Sequence, residues 1–166
     1  MVLNKVVMLH SIICPFSFAM LYYDFGSLFT ISVITIFMKK GFVVDLETAT
    51  LENTDYRRVL YTAGNIQLVL MHLEPGVEIG EEVHELDQFI RVDGGVATVM
   101  LGDEFHELSD GHAVIVPAGV KHNVLNKSDE PVNLYSVYGP PEHKDGIVQK
   151  TKQDEKEEHW DKETTE

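Results

Sequence analysis

The chain lacks the features that mark several common classes of protein. Its single cysteine, Cys14, excludes an internal disulfide framework. No glycine-rich phosphate loop and no Ser-His-Asp set stands out in the sequence. Basic residues are scarce, since 13 Lys and Arg stand against 27 Asp and Glu for a net charge of −14. Phosphate binding needs Lys and Arg concentrated on one face, so nucleic acid is not an expected partner.

Charge is also nearly absent from the first part of the chain, and this divides the sequence into three regions. Residues 1–38 contain only Lys5 and Asp24 and sum to zero. Residues 39–141 contain 7 basic and 17 acidic groups, and residues 142–166 contain 5 and 9. We therefore expect an apolar extension, one globular domain and a charged tail in that order.

The charged tail carries little that could fold. From Lys150 to Glu166 it is dominated by Lys, Glu, Asp, Gln and Thr, and Trp160 is its only large apolar anchor. Such a composition predicts disorder or a solvated helix.

The apolar extension has four explanations, which the sequence leaves open. Residues 1–19 end in the small-residue site Ser17-Phe18-Ala19 and fit a signal peptide, which would imply secretion. A membrane anchor is not expected, because Asp24 interrupts the apolar run. An extra strand on the domain is a third explanation. An over-extended start, with Met38 as the physiological first residue, is the working interpretation and implies a cytoplasmic protein.

The middle region alternates short apolar runs with turn signals such as Asp93-Gly94-Gly95 and Pro117-Ala118-Gly119. No amphipathic helical window occurs among these runs, so the pattern predicts an all-β sandwich or barrel. The predicted strands are Phe42–Val44, Arg57–Tyr61, Gln67–Leu73, Phe89–Val92, Val96–Leu101, Glu104–Leu108, His112–Val116, His122–Leu125 and Val132–Tyr138.

A first group of metal-ligand residue types lies between Gly76 and Gly95. Glu82, His84 and Gln88 are separated by even steps. In a regular β-strand alternate side chains share a face, so all three would project to the same side. The spacing thus predicts three converging oxygen or nitrogen donors.

A second group runs from Gly111 through Pro117, Gly119 and His122 to Asn126. The turn before His122 can deliver the next strand beside the first segment. His122 then becomes a plausible fourth donor.

Both spacings resemble the two signature motifs of the cupin superfamily, in particular its small single-domain members. The second motif matches at every defined position. The first keeps both glycines and the spacing, but Glu82 stands where the family has its first His and Gln88 where it has Glu. Two imidazoles, one carboxylate and one amide keep the formal ligand charge at minus one. The resemblance implies a single jelly-roll barrel, the double-stranded β-helix, over residues 39–141.

The resemblance further implies one divalent transition metal (Fe, Mn, Ni or Zn) bound by Glu82, His84, Gln88 and His122. The alternative is a metal-free barrel in which the two histidines only form hydrogen bonds. The leading hypothesis for function is a metal-dependent enzyme of the isomerase, lyase or dioxygenase type, acting on a small oxygenated molecule such as a sugar or organic acid. A non-catalytic small-molecule-binding or stress-type module is the alternative. The sequence identifies no general base.

Other candidate residues are weaker. Glu81, Glu85 and Asp87 have the wrong parity to join the group, and His143 either folds over the barrel mouth or belongs to a plain exit turn. His72, His106 and His112 are expected at or near the surface. Many cupins pair through sheet edges, so we also expect a homodimer, with the apolar runs Phe42–Val44 and Leu68–Leu70 as its contact surfaces.

Overall fold

The computed structural model describes residues 7–10, 17–22, 32–37, 40–156 and 158–166. The chain divides into two units, Met1–Gly41 and Phe42–Glu166. None of the helices among the described residues is long and apolar enough to cross a membrane. The expected start at Met38 lies outside the described residues.

The first unit contains three strands that pair with one another. They are β1 (Val7–His10), β2 (Ser17–Tyr22) and β3 (Ser32–Phe37). Both pairings are antiparallel, in the order β1-β2-β3. The sequence predicted no strand pairing within this region.

The second unit holds one α-helix, one short 3₁₀ helix and nine strands among its described residues, and it confirms the predicted all-β class. A six-stranded sheet has the order β12-β4-β5-β11-β6-β9, and a three-stranded sheet has the order β10-β7-β8. The elements are α1 (Leu46–Glu52), β4 (Arg57–Thr62), β5 (Gln67–Leu73), β6 (Asp87–Gly94), β7 (Val96–Leu101), β8 (Glu104–Ser109), β9 (Ala113–Val116), β10 (His122–Leu125), β11 (Val132–Gly139) and β12 (Val148–Gln149).

The core is built from alternate residues of strands in both sheets. In β5, Val69, Met71 and Leu73 are fully buried, and Val99 of β7 and Val124 of β10 are buried with them. Each side chain of this kind contributes about 1.5–3 kcal/mol when fully removed from water. Because Val69 and the neighbouring Leu70 are both buried, the expectation that Leu68–Leu70 forms a contact surface is wrong. The homodimer itself stays a prediction.

The chain enters the second unit differently from the sequence prediction. Phe42–Val44 is not a strand, and the helix α1 follows it. Asp45 caps this helix, because its carboxylate accepts hydrogen bonds from the Thr48 backbone N–H at 3.3 Å and from the Thr48 hydroxyl at 2.9 Å. Seven residues are too few for a helical periodicity to be recognised, so only the capping residue signals this helix.

The expectation of a disordered or helical tail is also wrong. Strand β12 pairs with β4, and the Lys150 carbonyl accepts a hydrogen bond from the Tyr56 N–H at 3.3 Å. A short 3₁₀ helix, Lys152–Asp154, follows. Further on, the Trp160 N–H donates to the Glu142 carbonyl at 2.8 Å. The tail therefore runs along the barrel and is held there by backbone hydrogen bonds.

Gly95, which closes the first motif, tolerates no side chain. Its φ is +78°, and a Cβ would lie 2.3 Å from the Pro131 carbonyl oxygen. We expect Gly95→Ala to lower the free energy of unfolding by about 3–5 kcal/mol, because backbone atoms must move to admit the methyl group. Gly111→Ala is the matched control. It has a similar φ of +80° but open space around it, so its cost should be about 1–2 kcal/mol. Urea unfolding measures both, and equal losses would contradict the steric explanation.

Candidate metal centre and adjoining cavity

The first-motif residues lie in an irregular segment, which corrects the expectation of one regular strand. Strand β6 begins only at Asp87, and a bend at Glu85 and Leu86 precedes it. Glu82 is held instead by an isolated β-bridge to His122, in which each backbone N–H donates to the other's carbonyl, at 2.9 and 3.0 Å. The His84 carbonyl accepts from the Gly119 N–H at 2.8 Å. The second motif thus positions the first directly.

Three of the predicted donors converge. Ligand atoms of Glu82, His84 and His122 all lie within 4.8 Å of one another. The Nε2 of His84 is 3.1 Å from Oε2 of Glu82, and the Nε2 of His122 is 3.9 Å from the same oxygen. The two imidazole rings are 5.2 Å apart between centroids. One carboxylate oxygen and two ring nitrogens therefore face a common point.

His122 is held in the tautomer whose unprotonated Nε2 can act as an acceptor. Its Nδ1 lies 3.0 Å from the Val120 carbonyl, which can only accept, so Nδ1 carries the proton. Burial lowers the pKa of His122 and keeps the ring neutral. Its buried Nε2 has no hydrogen-bond partner among the residues described. A neutral imidazole with a fixed tautomer and a free nitrogen is the usual state of a metal-binding histidine.

Glu82 and His84 form a hydrogen-bonded pair. The hydrogen bond that His84 donates to the Glu82 carboxylate is the main cause that raises the pKa of His84. Burial tends to raise the pKa of Glu82, but the hydrogen bond from His84 and the nearby charge of Arg57 lower it overall. Glu82 is therefore ionised, and the proton it shares with His84 can be exchanged for a cation.

Gln88 is buried on the face of the sheet that points toward His84. It pairs in register with Tyr138, and paired residues of adjacent strands share a face. The Tyr138 ring meets the His84 ring edge-on at 6.0 Å. The Gln88 amide Nε2 donates to the Ser136 hydroxyl at 3.2 Å, whereas its Oε1 has no partner in the described part of the chain. Its role as a fourth ligand stays a prediction.

A cavity of about 620 Å³ opens beside this group. Its walls come from three places in the chain: Arg57 at the start of β4, the segment around Glu82 and the segment that follows β11. Most of its lining side chains are charged or imidazole groups. The polar lining includes Arg57, Glu81, Glu82, His84, Glu142, His143, Lys152, Glu155, Lys156, Glu158 and His159.

Comparison with known proteins identifies the fold family. The family model for the cupin domain matches residues 69–138. The uncharacterized protein YrkC of Bacillus subtilis is 41% identical over 122 residues, which are 69% of this chain and 66% of that protein. A crystal structure from Bacillus halodurans superposes with a TM-score of 0.68 at 40% identity, over 69% of this chain and 92% of that one. The chain belongs to the cupin family.

A second solved structure supports the barrel topology of this cupin. An RmlC-like cupin with a double-stranded β-helix fold from Methanocaldococcus jannaschii superposes with a TM-score of 0.50 at 20% identity. It covers 54% of this chain and 84% of that one, and at this identity it shows the fold alone. The predicted jelly roll is confirmed. The chain spans about two thirds of the length of the curated relatives it matches.

The last residue of the second cupin motif, Asn126, has a structural role. Its Nδ2 donates to the carbonyls of Leu73 and Glu130, each at 2.9 Å. Its Oδ1 accepts from the Ser128 N–H and hydroxyl, at 3.0 and 2.7 Å. All of its polar atoms are engaged and the residue is 1% exposed. The sequon Asn126-Lys127-Ser128 therefore holds a turn, and its amide is not free for glycosylation in the folded protein.

Three carboxylates that strand alternation places on the wrong face to join the metal group are exposed in this cupin: Glu81, Glu85 and Asp87. Glu81 forms an ion pair with Lys121 at 2.6 Å, and Asp87 accepts a hydrogen bond from the Ala118 N–H at 3.0 Å. The exposed side chains of His106 and His112 agree with the sequence prediction, and His72 pairs with Glu74.

Sequence reasoning missed most of the cavity wall. Arg57 was predicted only as the first residue of a strand, yet its side chain is 5% exposed and lines the cavity. Its even separation from the buried Val59 could have indicated this orientation. Glu155 and Lys152 lie in the tail, which was predicted to be disordered or a solvated helix. No local pattern could have placed these two residues at the cavity.

Proposed function

We propose that Glu82, His84 and His122, with Gln88 as a fourth donor, hold one divalent transition metal in this cupin. The proposal is carried by the buried Nε2 of His122, which lacks a hydrogen-bond partner among the described residues while it lies beside a carboxylate and a second imidazole. Buried polar atoms are nearly always satisfied in folded proteins. The unpartnered Oε1 of Gln88 supports the same assignment.

The donor set indicates which ions fit. Two imidazole nitrogens, one carboxylate oxygen and one amide oxygen suit Fe, Mn, Ni or Zn. When bound, such an ion supplies Lewis-acid activation of a substrate oxygen or a centre for oxygen chemistry. The protein's own part is to orient the donors, and it does so through the Val120 carbonyl behind His122 and the backbone bridge between Glu82 and His122.

The cavity supports a small oxygenated substrate such as a sugar or an organic acid. Its volume of about 620 Å³ falls in the range of roughly 300–1,000 Å³ that is usual for small-molecule sites. Arg57, Lys152 and several carboxylates and imidazoles line it. Such walls match hydroxyl and carboxyl groups better than an apolar ligand.

Ionisable groups beside the proposed ligands favour catalysis over passive binding. The Glu142 carboxylate accepts a hydrogen bond from His159 Nδ1 at 3.1 Å and lies 4.0 Å from His84 Nδ1. From this place it can take a proton from a bound substrate and return it. Burial lowers the pKa of His143 to about 3, so its imidazole stays neutral. Its buried Nε2, also unpartnered within the described residues, can exchange a hydrogen bond with a substrate hydroxyl. We therefore propose a metal-dependent enzyme.

Elemental analysis of full-length protein purified without chelators tests this function, and about one divalent transition metal per chain is expected. A screen of sugars and organic acids, with and without oxygen, should then find turnover. Glu142→Gln should lower that turnover by about 10²–10⁴-fold with unchanged metal content, because it removes only the proton acceptor. Turnover that survives this substitution would exclude Glu142 as the base. Bound metal without turnover of any compound would favour a binding module.

A further inference from the structure

A carboxylate of the protein itself occupies a cationic recess in the cavity wall. Glu155 Oε1 accepts a hydrogen bond from Arg57 Nη1 at 2.9 Å and one from the Tyr56 hydroxyl at 3.3 Å. Its Oε2 accepts from Lys152 Nζ. The guanidinium of Arg57 and the ammonium of Lys152 both lie 5.4 Å from the centre of the Tyr56 ring. Two cations and one hydroxyl thus converge on a single carboxylate.

The innermost cation of this recess adjoins the proposed metal ligands. Arg57 has a side chain only 5% exposed, and its Nη2 is 4.0 Å from Oε1 of Glu82. Besides Glu155, the Gln149 amide oxygen accepts from Arg57 Nη1 at 3.2 Å. The Arg57 Nε is buried and has no hydrogen-bond partner within the described ranges. A buried guanidinium needs an anion beside it, so the recess selects for negative charge.

The Glu155 carboxylate can leave the recess, and be replaced by another carboxylate, more easily than the Arg57 guanidinium can move. Its side chain is 25% exposed, and it follows a single turn of 3₁₀ helix in the tail. The residues next to it, Asp154 and Lys156, are exposed. An incoming carboxylate that replaces that of Glu155 leaves the charge of the recess unchanged, and the released Glu155 side chain becomes solvated.

We propose that Arg57, Lys152 and the Tyr56 hydroxyl form a carboxylate-binding subsite for the substrate, which Glu155 occupies when no substrate is bound. This rests on the proposed function and narrows the substrate to a short organic acid. One carboxylate of the substrate pairs with Arg57. A second oxygen donor of the substrate, a hydroxyl or another carboxylate, reaches the proposed metal ligands beside Arg57. An uncharged sugar does not displace Glu155.

Two matched probes test the subsite in the full-length protein. Malate carries two carboxylates and a hydroxyl, and 1,2,4-butanetriol has the same carbon chain with hydroxymethyl groups in place of the carboxylates. Calorimetric titration should detect malate, with the triol at least about tenfold weaker because it cannot pair with Arg57. Equal affinities for the two probes would overturn the proposal.

Glu155→Gln tests whether the Glu155 carboxylate competes with the substrate for the subsite. Removing the competing carboxylate should raise malate affinity by about tenfold, because the subsite no longer has to be vacated. Glu158→Gln is the control, since Glu158 has the same charge, lies in the same tail and lines the same cavity. It should change malate affinity by no more than about twofold, the effect of screened distant charge. No gain in Glu155→Gln, or an equal gain in both variants, would show that Glu155 only anchors the tail.

Lys152→Met keeps the proposal testable if Glu155→Gln does not fold, because Lys152 is partly exposed. It should weaken malate binding with little effect on the triol, and unchanged malate binding would overturn the subsite. All titrations are run on metal-loaded and metal-free protein. The gain from Glu155→Gln should occur in both, because the subsite contains no metal ligand. Failure of the metal proposal appears separately, as protein that contains no metal.

Discussion

Alanine at His122 should weaken metal binding by about 100-fold or more, since it removes a ligand, whereas loss of a supporting group behind a ligand already costs about 10–100-fold. His84→Ala should do the same, because among the described residues it leaves His122 as the one imidazole of the group. His106→Ala is the matched control, because it removes an exposed histidine on β8 and should leave the metal content unchanged. Competition with a chelating indicator measures the affinities. Wild-type affinity in both site variants would mean that these histidines only form hydrogen bonds.

Restoring the family pattern tests Glu82 and Gln88 as ligands. The double change Glu82→His with Gln88→Glu should keep metal binding, because it returns three imidazoles and one carboxylate at the same ligand charge. Each single change should bind the metal more weakly than the double change does. Glu82→His alone leaves no carboxylate and removes the anion that lies 4.0 Å from Arg57. Gln88→Glu alone places two anions at one ion and favours harder metals. Metal content that falls equally in both single variants and further in the double would contradict the assignment of Glu82 and Gln88 as two ligands that face one ion.

The strands that the sequence predicted best are those with strong local signals. Gln67–Leu73, Val96–Leu101 and His122–Leu125 have the predicted bounds. Apolar residues predominate in Gln67–Leu73 and Val96–Leu101, and turn residues flank both, so local preference and burial agree. The bounds of His122–Leu125 follow from the turn before it and Asn126 after it.

The sequence predicted which residues lie at the candidate site, but not the course of the backbone that brings them together. The spacing named Glu82, His84 and His122, yet the reason they meet is the bridge between Glu82 and His122, a contact between distant segments. Strand parity explains none of this, because the backbone bends before β6 begins. The motif spacing names residues that lie together because it encodes the family's tertiary contacts, which local periodicity does not contain.

The tail was mispredicted because composition ignores specific partners. A sequence rich in Lys and Glu buries little apolar surface and therefore indicates disorder. Here the barrel supplies buried counter-charges: Arg57 receives Glu155, and Asp55 receives Lys150. Each pair joins residues far apart in the sequence, so neither can be recognised from the tail alone.

Removing Lys150–Glu166 should therefore lower the free energy of unfolding by about 3–5 kcal/mol, the usual cost of leaving one member of a buried ion pair behind. Without Glu155, the buried Arg57 keeps Glu82, at 4.0 Å, as its one nearby anion in the described part of the chain. Asp55, whose side chain is 2% exposed, keeps only Arg58 of its two cationic partners. At this chain length the melting temperature should fall by roughly 10 °C.

The loss of stability caused by removing the tail should depend on pH in a defined direction. Burial alone would raise the pKa of Asp55, but hydrogen bonds from Lys150 and Arg58 lower it in the folded protein. A lowered folded-state pKa means that the stabilisation is present above the unfolded-state value and disappears as the pH falls through the folded-state value. The advantage of the full-length chain over the shortened one should thus be largest near neutral pH and shrink below about pH 4.

Urea unfolding of the full-length and shortened chains at pH 7 and near pH 3.5 measures both effects. Gln153→Ala, an exposed change within the same tail, is the control and should leave the midpoint unchanged. Glu155→Gln keeps an amide oxygen for Arg57 and should lose less than the deletion does, because the guanidinium retains a hydrogen bond. Coincident midpoints for the full-length and shortened chains at pH 7 would mean that the tail only rests on the barrel, and that Arg57 is sufficiently paired by Glu82 and Gln149 without it.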